Sequence, residues 1–230
     1  MFGGKMKAVT FSYDDGVTQD LKLIEILNRY GLKATFNLNS GGFGGRESKL
    51  IDDVLVYRDK VFSHDVKRIY EGHEVASHTV NHPDLTALSE DKIVYQVEED
   101  RKRLSELVGY EIVGFAYPCG YVDQRVISVL KKKTGVKYAR SVRVTENYLP
   151  ETDLYDLAFT TRNFGDNFLR LAEDFVNLKT DEPRIFSVWG HAYEFDWKKN
   201  WHVFEEFCKI ISGHEDIFYG TNSQIFLNGK

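Results

Sequence analysis

Cysteine, proline and long apolar runs are all scarce in this chain, and each scarcity excludes something. The two cysteines, Cys119 and Cys208, are too few and too far apart in sequence for a disulfide framework or a thiolate zinc site. A reducing compartment suits both. The four prolines mark single turns rather than a linker, and no internal repeat is visible. No apolar run approaches the roughly 20 residues needed to cross a bilayer. Met1 to Lys7 leads into the first strand without the apolar stretch of a signal peptide, so a soluble cytoplasmic protein is expected. Basic blocks are missing too. Lys and Arg are scattered among acids and the net charge is -5, so neither nucleic acid nor an anionic membrane is an expected partner.

The chain has 230 residues, 42% of them apolar, which fits one α/β domain spanning 1–230. Apolar, β-rich segments recur at Ala8–Phe11, Ala34–Leu38, Val75–Ser77, Val113–Ala116, Val136–Ala139, Leu157–Thr160, Ile185–Trp189 and Ile217–Tyr219. Between them lie stretches with helical spacing. Leu21, Ile24 and Ile26-Leu27 precede Gly31, and Ile93, Val97, Leu104 and Leu107-Val108 precede Gly109. Both glycines stand where a helix end favours positive φ. Alternation of this kind predicts parallel strands with helical crossovers, and the number of units favours a barrel. The glycine-rich run Ser40–Gly45 lacks the Gly-Lys-Ser/Thr ending of a phosphate loop and reads as a flexible loop.

Two motifs fall where strands give way to loops, the place where such folds carry their chemistry. Asp14-Asp15-Gly16 follows the first strand, and His78-Thr79-Val80-Asn81-His82 follows Glu74-Val75-Ala76-Ser77. Together they offer one carboxylate and two imidazoles to a divalent metal, with a second carboxylate left over. Pro83 disfavours helical geometry at His82, so the histidine pair belongs to a short turn rather than to a zinc-protease helix. A third strand, Ile185–Trp189, delivers Gly190-His191.

With these three motifs in this order, the chain resembles the polysaccharide deacetylases, also called carbohydrate esterase family four. Ser12-Tyr13-Asp14-Asp15-Gly16 is similar to the family's Thr-Phe-Asp-Asp-Gly, and His78 to His82 matches its His-Ser/Thr-x-x-His. The resemblance implies a distorted (β/α) barrel with about seven parallel strands. It also implies Asp15, His78 and His82 as metal ligands, Asp14 as general base and His191 as general acid. The backbone N–H of Cys119, in Phe115-Ala116-Tyr117-Pro118-Cys119-Gly120, becomes the oxyanion donor. The implied ion is a divalent metal, zinc by default, with Co, Mn or Ni also compatible. In the family, an Arg that orients the general base stands where this chain has Ala116, and Arg140 is the candidate substitute. The acid that tunes the catalytic histidine has no clear match, and Asp153 and Asp156 remain alternatives. His64, His73, His202 and His214 have no such context and read as ordinary polar residues.

Tyr117, Tyr121, Trp189, Tyr193, Phe195, Trp197 and Trp201 cluster in the same loops, and flat aromatic faces suit sugar rings. Tyr117, Trp189, Tyr193 and Glu194 are the candidate substrate-binding residues, Glu194 either for substrate or for tuning His191. The expected activity is removal of N-acetyl, or O-acetyl, groups from an acetylated oligosaccharide or sugar derivative. The alternatives are hydrolysis of a small non-sugar amide, and a carbohydrate-binding homologue without catalysis.

Overall fold

Strand β1, Lys7–Asp14, is buried along its whole length, and its side chains divide by parity. Val9, Phe11 and Tyr13 join the largest hydrophobic cluster, where Phe11 meets Phe204 and Phe207 edge-on. Each such aromatic contributes about 1.5–3 kcal/mol by leaving water. Ala8, Thr10, Ser12 and Asp14 face the opposite side, which is mostly polar: Thr10 donates to Asn222, and Ser12 accepts from Asn37 and Arg140. The strand is therefore aromatic towards its helices and hydrogen-bonded towards the inside of a barrel.

The computed structural model describes residues 2–227; Met1 and residues 228–230, the ends of the expected 1–230 domain, lie outside the described residues. After β1 come β2 (Ala34–Leu38), β3 (Ser48–Ile51), β4 (Val54–Tyr57), β5 (Glu74–Ser77), β6 (Gly114–Ala116) and β7 (Tyr138–Val144). They are followed by β8 (Leu157–Phe159), β9 (Thr161–Arg162), β10 (Arg184–Gly190) and β11 (Ile217–Tyr219). The main sheet runs β8-β7-β6-β5-β2-β1-β10-β9, and β11 pairs with the start of β1. All its pairings are parallel.

The two ends of this order, β8 and β9, are separated in sequence only by Thr160. They act as one broken strand, so the eight strands of the path make seven staves of a closed barrel. At the break, hydroxyls replace the backbone ladder: Thr160 N donates to Ser187 Oγ at 3.0 Å, and Ser187 N donates to Thr160 Oγ1 at 3.1 Å. The regular backbone ladder is interrupted at this one stave. The helix Asn222–Phe226 closes the end opposite the strand carboxyl termini, packing Ile225 and Phe226 with Ala8, Tyr138, Phe159 and Ile185.

All eight expected strand segments coincide with strands, though two details differ. The segment expected at Val136–Ala139 begins at Tyr138 and runs on to Val144, so Arg140 lies within a strand and not at its end. Leu21, counted in the apolar face of the helix Asp20–Arg29, is exposed, and Leu23, Ile24, Ile26 and Leu27 form the buried face. Gly31 and Gly109 have φ of 66° and 85°, as a helix end requires. The antiparallel β3–β4 hairpin was not anticipated. Its turn uses Asp52 and Asp53 with φ of 48° and 60°, the left-handed pair that a two-residue hairpin loop needs and that Asp tolerates.

Candidate active site

The strand carboxyl ends converge on one cavity of about 410 Å³, lined by Asp14, Asp15, His78, His82, Cys119 and His191, with Tyr117, Trp189 and Tyr193 as aromatic walls. Asp14 is the last residue of β1; Asp15 turns away at φ 81°, its N–H donating to Asn37 O at 3.0 Å. That left-handed step sends adjacent carboxylates in different directions.

His78 follows β5 and is buried, with its Nδ1 2.8 Å from Ala116 O. Donation to that carbonyl fixes the tautomer and leaves Nε2 free to ligate. Burial pulls the His78 pKa down to about 4, so the imidazole is neutral near neutrality. The following turn has two left-handed residues, Thr79 (φ 70°) and His82 (φ 55°), and is braced by His82 N donating to Thr79 Oγ1 at 2.9 Å. The pair is thus a turn and not a helix, as Pro83 implied. Asp15, His78 and His82 each place one ligand atom within 4.8 Å of the others. Two imidazoles and one carboxylate on a partly buried wall are a donor set that fits zinc and similar divalent ions. Burial disfavours the charged Asp15 carboxylate, but His191 and Lys60 nearby hold its pKa well below the usual range.

Asp100 supports this turn and has no counterpart in the sequence reading. From the helix Glu90–Val108 its Oδ2 accepts from Ser77 Oγ at 2.7 Å and His78 N at 3.2 Å, while Oδ1 accepts from Ser40 N at 2.7 Å. Nothing in the helix pattern marks it except an acid on the apolar face, between Val97 and Leu104.

Arg140 is fully buried rather than on the surface, and its Nη2 donates to both oxygens of Asp14. Asn37 Nδ2 adds a bond to Asp14 Oδ1 at 2.8 Å. Burial favours the neutral acid, but the guanidinium outweighs it and lowers the Asp14 pKa. In the β6–β7 register Ala116 pairs with Arg140.

His191 follows β10 with Nε2 4.0 Å from Asp15 Oδ2. Its N–H donates to Glu194 Oε2 at 2.9 Å, and its Nδ1 lies 3.3 Å from Glu194 Oε1. Desolvation works against the imidazolium, yet Glu194, followed by Asp15 and Asp14, raises the His191 pKa to about 9. Arg162 in turn donates to Glu194 Oε1 at 3.2 Å. Asp153 and Asp156 pair instead with Lys131 and Arg143, so the carboxylate beside His191 is Glu194.

Cys119 sits in the turn Pro118–Gly120 at φ 54°, and burial raises its thiol pKa, which disfavours a thiolate. Tyr117 spends its hydroxyl on Tyr155 O at 2.7 Å and offers only its ring. Trp189 has the Arg140 and Arg162 guanidinium groups over its ring, each 4.9 Å from the ring centre. Phe195 and Trp201 pack on each other, Trp197 meets Phe164, and Tyr121 is exposed; none of these four lines the cavity. His73 accepts from Ala34 N, His214 Nε2 lies 2.8 Å from Ile210 O, and His64 is exposed. Two cavity residues, Arg58 and Arg162, escaped the sequence reading because no motif surrounds them.

A family model described as polysaccharide deacetylase matches residues 3–139. Among curated proteins the chain is 28% identical over 122 residues to the peptidoglycan-N-acetylglucosamine deacetylase PgdA of Listeria monocytogenes, covering 52% of this chain and 23% of that one. It is 31% identical over 105 residues to a peptidoglycan-N-acetylglucosamine deacetylase of Bacillus cereus, covering 44% and 32%. The matched segment spans well under half the length of these relatives. Among solved structures, the family 4 carbohydrate esterase of Streptomyces lividans in complex with acetate superposes with a TM-score of 0.59 at 13% identity, covering 96% of this chain and 94% of that one. A family 4 acetyl xylan esterase of Clostridium thermocellum in complex with a cobalt ion gives 0.55 at 16% identity, covering 96% and 92%. At these identities the two structures speak for the fold alone.

Proposed function

Because this chain belongs to the polysaccharide deacetylase family, we propose that it is a metal-dependent hydrolase that removes N-acetyl groups, and less readily O-acetyl groups, from a sugar or short oligosaccharide. The observation that carries this reading is the convergence of Asp14, Asp15, His78, His82 and His191 on one cavity with aromatic walls. Asp15, His78 and His82 would hold the ion, zinc by its donor set. When bound, the ion supplies a Lewis acid that acidifies water and polarises a carbonyl.

The protein's own groups divide the remaining work. Asp14 takes the proton of the attacking water; Arg140 and Asn37 occupy Oδ1, whereas Oδ2 carries only Arg140 and keeps a lone pair for the proton. Arg140 takes the place of the arginine missing at Ala116. The Cys119 N–H donates to the acetyl oxygen as it gains negative charge. His191, backed by Glu194, donates a proton to the departing nitrogen. Trp189 and Tyr193, whose ring faces carry the guanidinium groups of Arg140, Arg162 and Arg58, supply aromatic edges to the wall beside the sugar ring.

The test is acetate release from N-acetylglucosamine oligomers, acetylated xylan fragments and simple acetamides, comparing the wild-type protein with Asp14→Asn. Metal-dependent release from the sugars that Asp14→Asn abolishes supports the proposal. Release only from the acetamides redirects it to a non-sugar amide, and release unaffected by Asp14→Asn overturns the mechanism.

A further inference from the structure

The stave that β8 and β9 share is broken at Thr160, and its short second half ends beside the proposed acid. The β9–β10 register sets Arg162 against Trp189, two residues before His191. Just past that pair, Asn163 N donates to Trp189 O at 3.0 Å and Asn163 Nδ2 donates to His191 O at 3.3 Å. Asn163 is buried, and Gly190 leaves the room it occupies: a Cβ there would come within 2.5 Å of both Asn163 Nδ2 and Oδ1. The main chain on both sides of Gly190 is thereby tied to one asparagine of the neighbouring stave.

Arg162 acts on the side-chain half of the same acid. Its guanidinium lies 4.6 Å from the centre of the Phe164 ring and 4.9 Å from that of Trp189, and Nη2 donates to Glu194 Oε1 at 3.2 Å. An ordinary exposed Arg–Glu pair contributes little. This one differs because Glu194 is only 4% exposed and both its oxygens face His191: Oε2 accepts from His191 N at 2.9 Å, and Oε1 lies 3.3 Å from Nδ1. As the C–N bond of the substrate breaks, one proton passes from His191 Nε2 to the departing nitrogen, and the imidazolium becomes a neutral imidazole. Among the described residues, Arg162 is then the one cation still paired with the Glu194 carboxylate. A buried carboxylate without a cation is costly. Arg162 spares Glu194 that state, so the partner of the ring stays where it is through the transfer.

We propose that Arg162 and Asn163 are positioning residues for the proposed acid. Asn163 fixes the His191 main chain and Arg162 fixes Glu194, so the imidazole is held from both ends with Nε2 on the side of Asp15. The inference rests on the deacetylase reading for where the proton goes, and not for how the ring is held.

The test compares Arg162→Gln, Arg162→Lys and Asn163→Ala with the wild type on an N-acetylglucosamine oligomer and on an aryl acetate, each change alone and combined with His191→Ala. Heteronuclear NMR of the His191 ring nitrogens in chelator-stripped protein reports the orientation of the ring without reference to activity. In Arg162→Gln, kcat on the oligomer should fall about 10–100-fold, as losing an orienting partner does, with KM within about threefold of the wild type. Hydrolysis of the aryl acetate should slow much less, because a phenolate leaves without a proton. Arg162→Lys should recover part of the loss, and Asn163→Ala should show the same preference for harming the amide. In the His191→Ala background these changes should cost nothing further, since they act through that ring. The Nδ1–H signal of His191, held by Glu194 in the wild type, should broaden or vanish in Arg162→Gln. Equal losses on the two substrates, losses that add to those of His191→Ala, or an unchanged ring signal overturn the inference. A ring signal that changes in a protein whose wild type releases no acetate keeps the positioning and removes the deacetylase reading, whereas acetate release with rates and ring signal unchanged in all three variants does the reverse.

Discussion

Ala116 and Arg140 stand opposite each other in the β6–β7 register, and the Arg140 guanidinium grips both oxygens of Asp14. Paired residues of adjacent parallel strands share a face, so a side chain lost from one strand can be supplied by the next at the same height. In the proposed mechanism Arg140 supplies, from the next strand, the guanidinium that position 116 lacks.

This relationship predicts a transplant. Arg140→Ala leaves a buried carboxylate without its partner and should cost about 3–5 kcal/mol of stability and roughly 10–100-fold in turnover, as losing an orienting group does. Adding Ala116→Arg to that variant should recover part of both, measured by denaturant unfolding and by acetate release. No recovery in the double variant would mean that position 140 is required for more than delivering a guanidinium.

Asp100 gathers Ser40 N, Ser77 Oγ and His78 N, so it holds the histidine turn from behind. Asp100→Asn replaces an acceptor oxygen with a donor facing donors. Zinc affinity should fall about 10–100-fold, read by competition with a chromophoric chelator. Unchanged affinity would show that the turn is rigid without it.

The proposed acid makes its own prediction. His191→Ala should slow amide deacetylation about 10²–10⁴-fold yet slow hydrolysis of an aryl acetate much less, because a phenolate leaves without a proton. Equal losses on the two substrates would contradict proton donation by His191.

Asp20 sets a pH dependence of stability. Fully buried, with Oδ2 accepting from Tyr70 at 2.7 Å and Oδ1 unpartnered, its carboxyl pKa is pushed by desolvation from 3.8 up to about 8. The folded state therefore binds more protons than the unfolded state between those values. The stabilisation is present in full below about pH 4 and is lost as pH rises through about 8. Asp20→Asn should flatten the decline in unfolding free energy between pH 5 and pH 8. A variant whose decline matches the wild type would assign the dependence to another group.

Much of this molecule was legible in the sequence because its signals are local. Eight apolar runs marked the strands they occupy, and Asp14-Asp15-Gly16 and His78 to His82 announced themselves by residue type at strand ends. What was not legible depends on register and closure. That Thr160 and Ser187 complete the barrel with hydroxyls follows from no spacing rule, nor does the reach of Asp100 to His78 across 22 residues. Glu194, rather than Asp153 or Asp156, lies beside His191 because the chain turns into a helix at Tyr193 and brings position i+3 back. Arg58 and Lys60 reach the cleft just after a hairpin whose strands, Ser48–Ile51 and Val54–Tyr57, carry no alternating pattern that would have marked them.

The most direct test of the central claim is zinc titration of chelator-stripped protein, following bound metal and acetate release together, in the wild type and in His78→Ala. The account predicts that release rises in step with binding, saturates at about one ion per chain, and is absent in His78→Ala together with the bound ion. Full activity in the stripped protein, or in His78→Ala without bound metal, would contradict it.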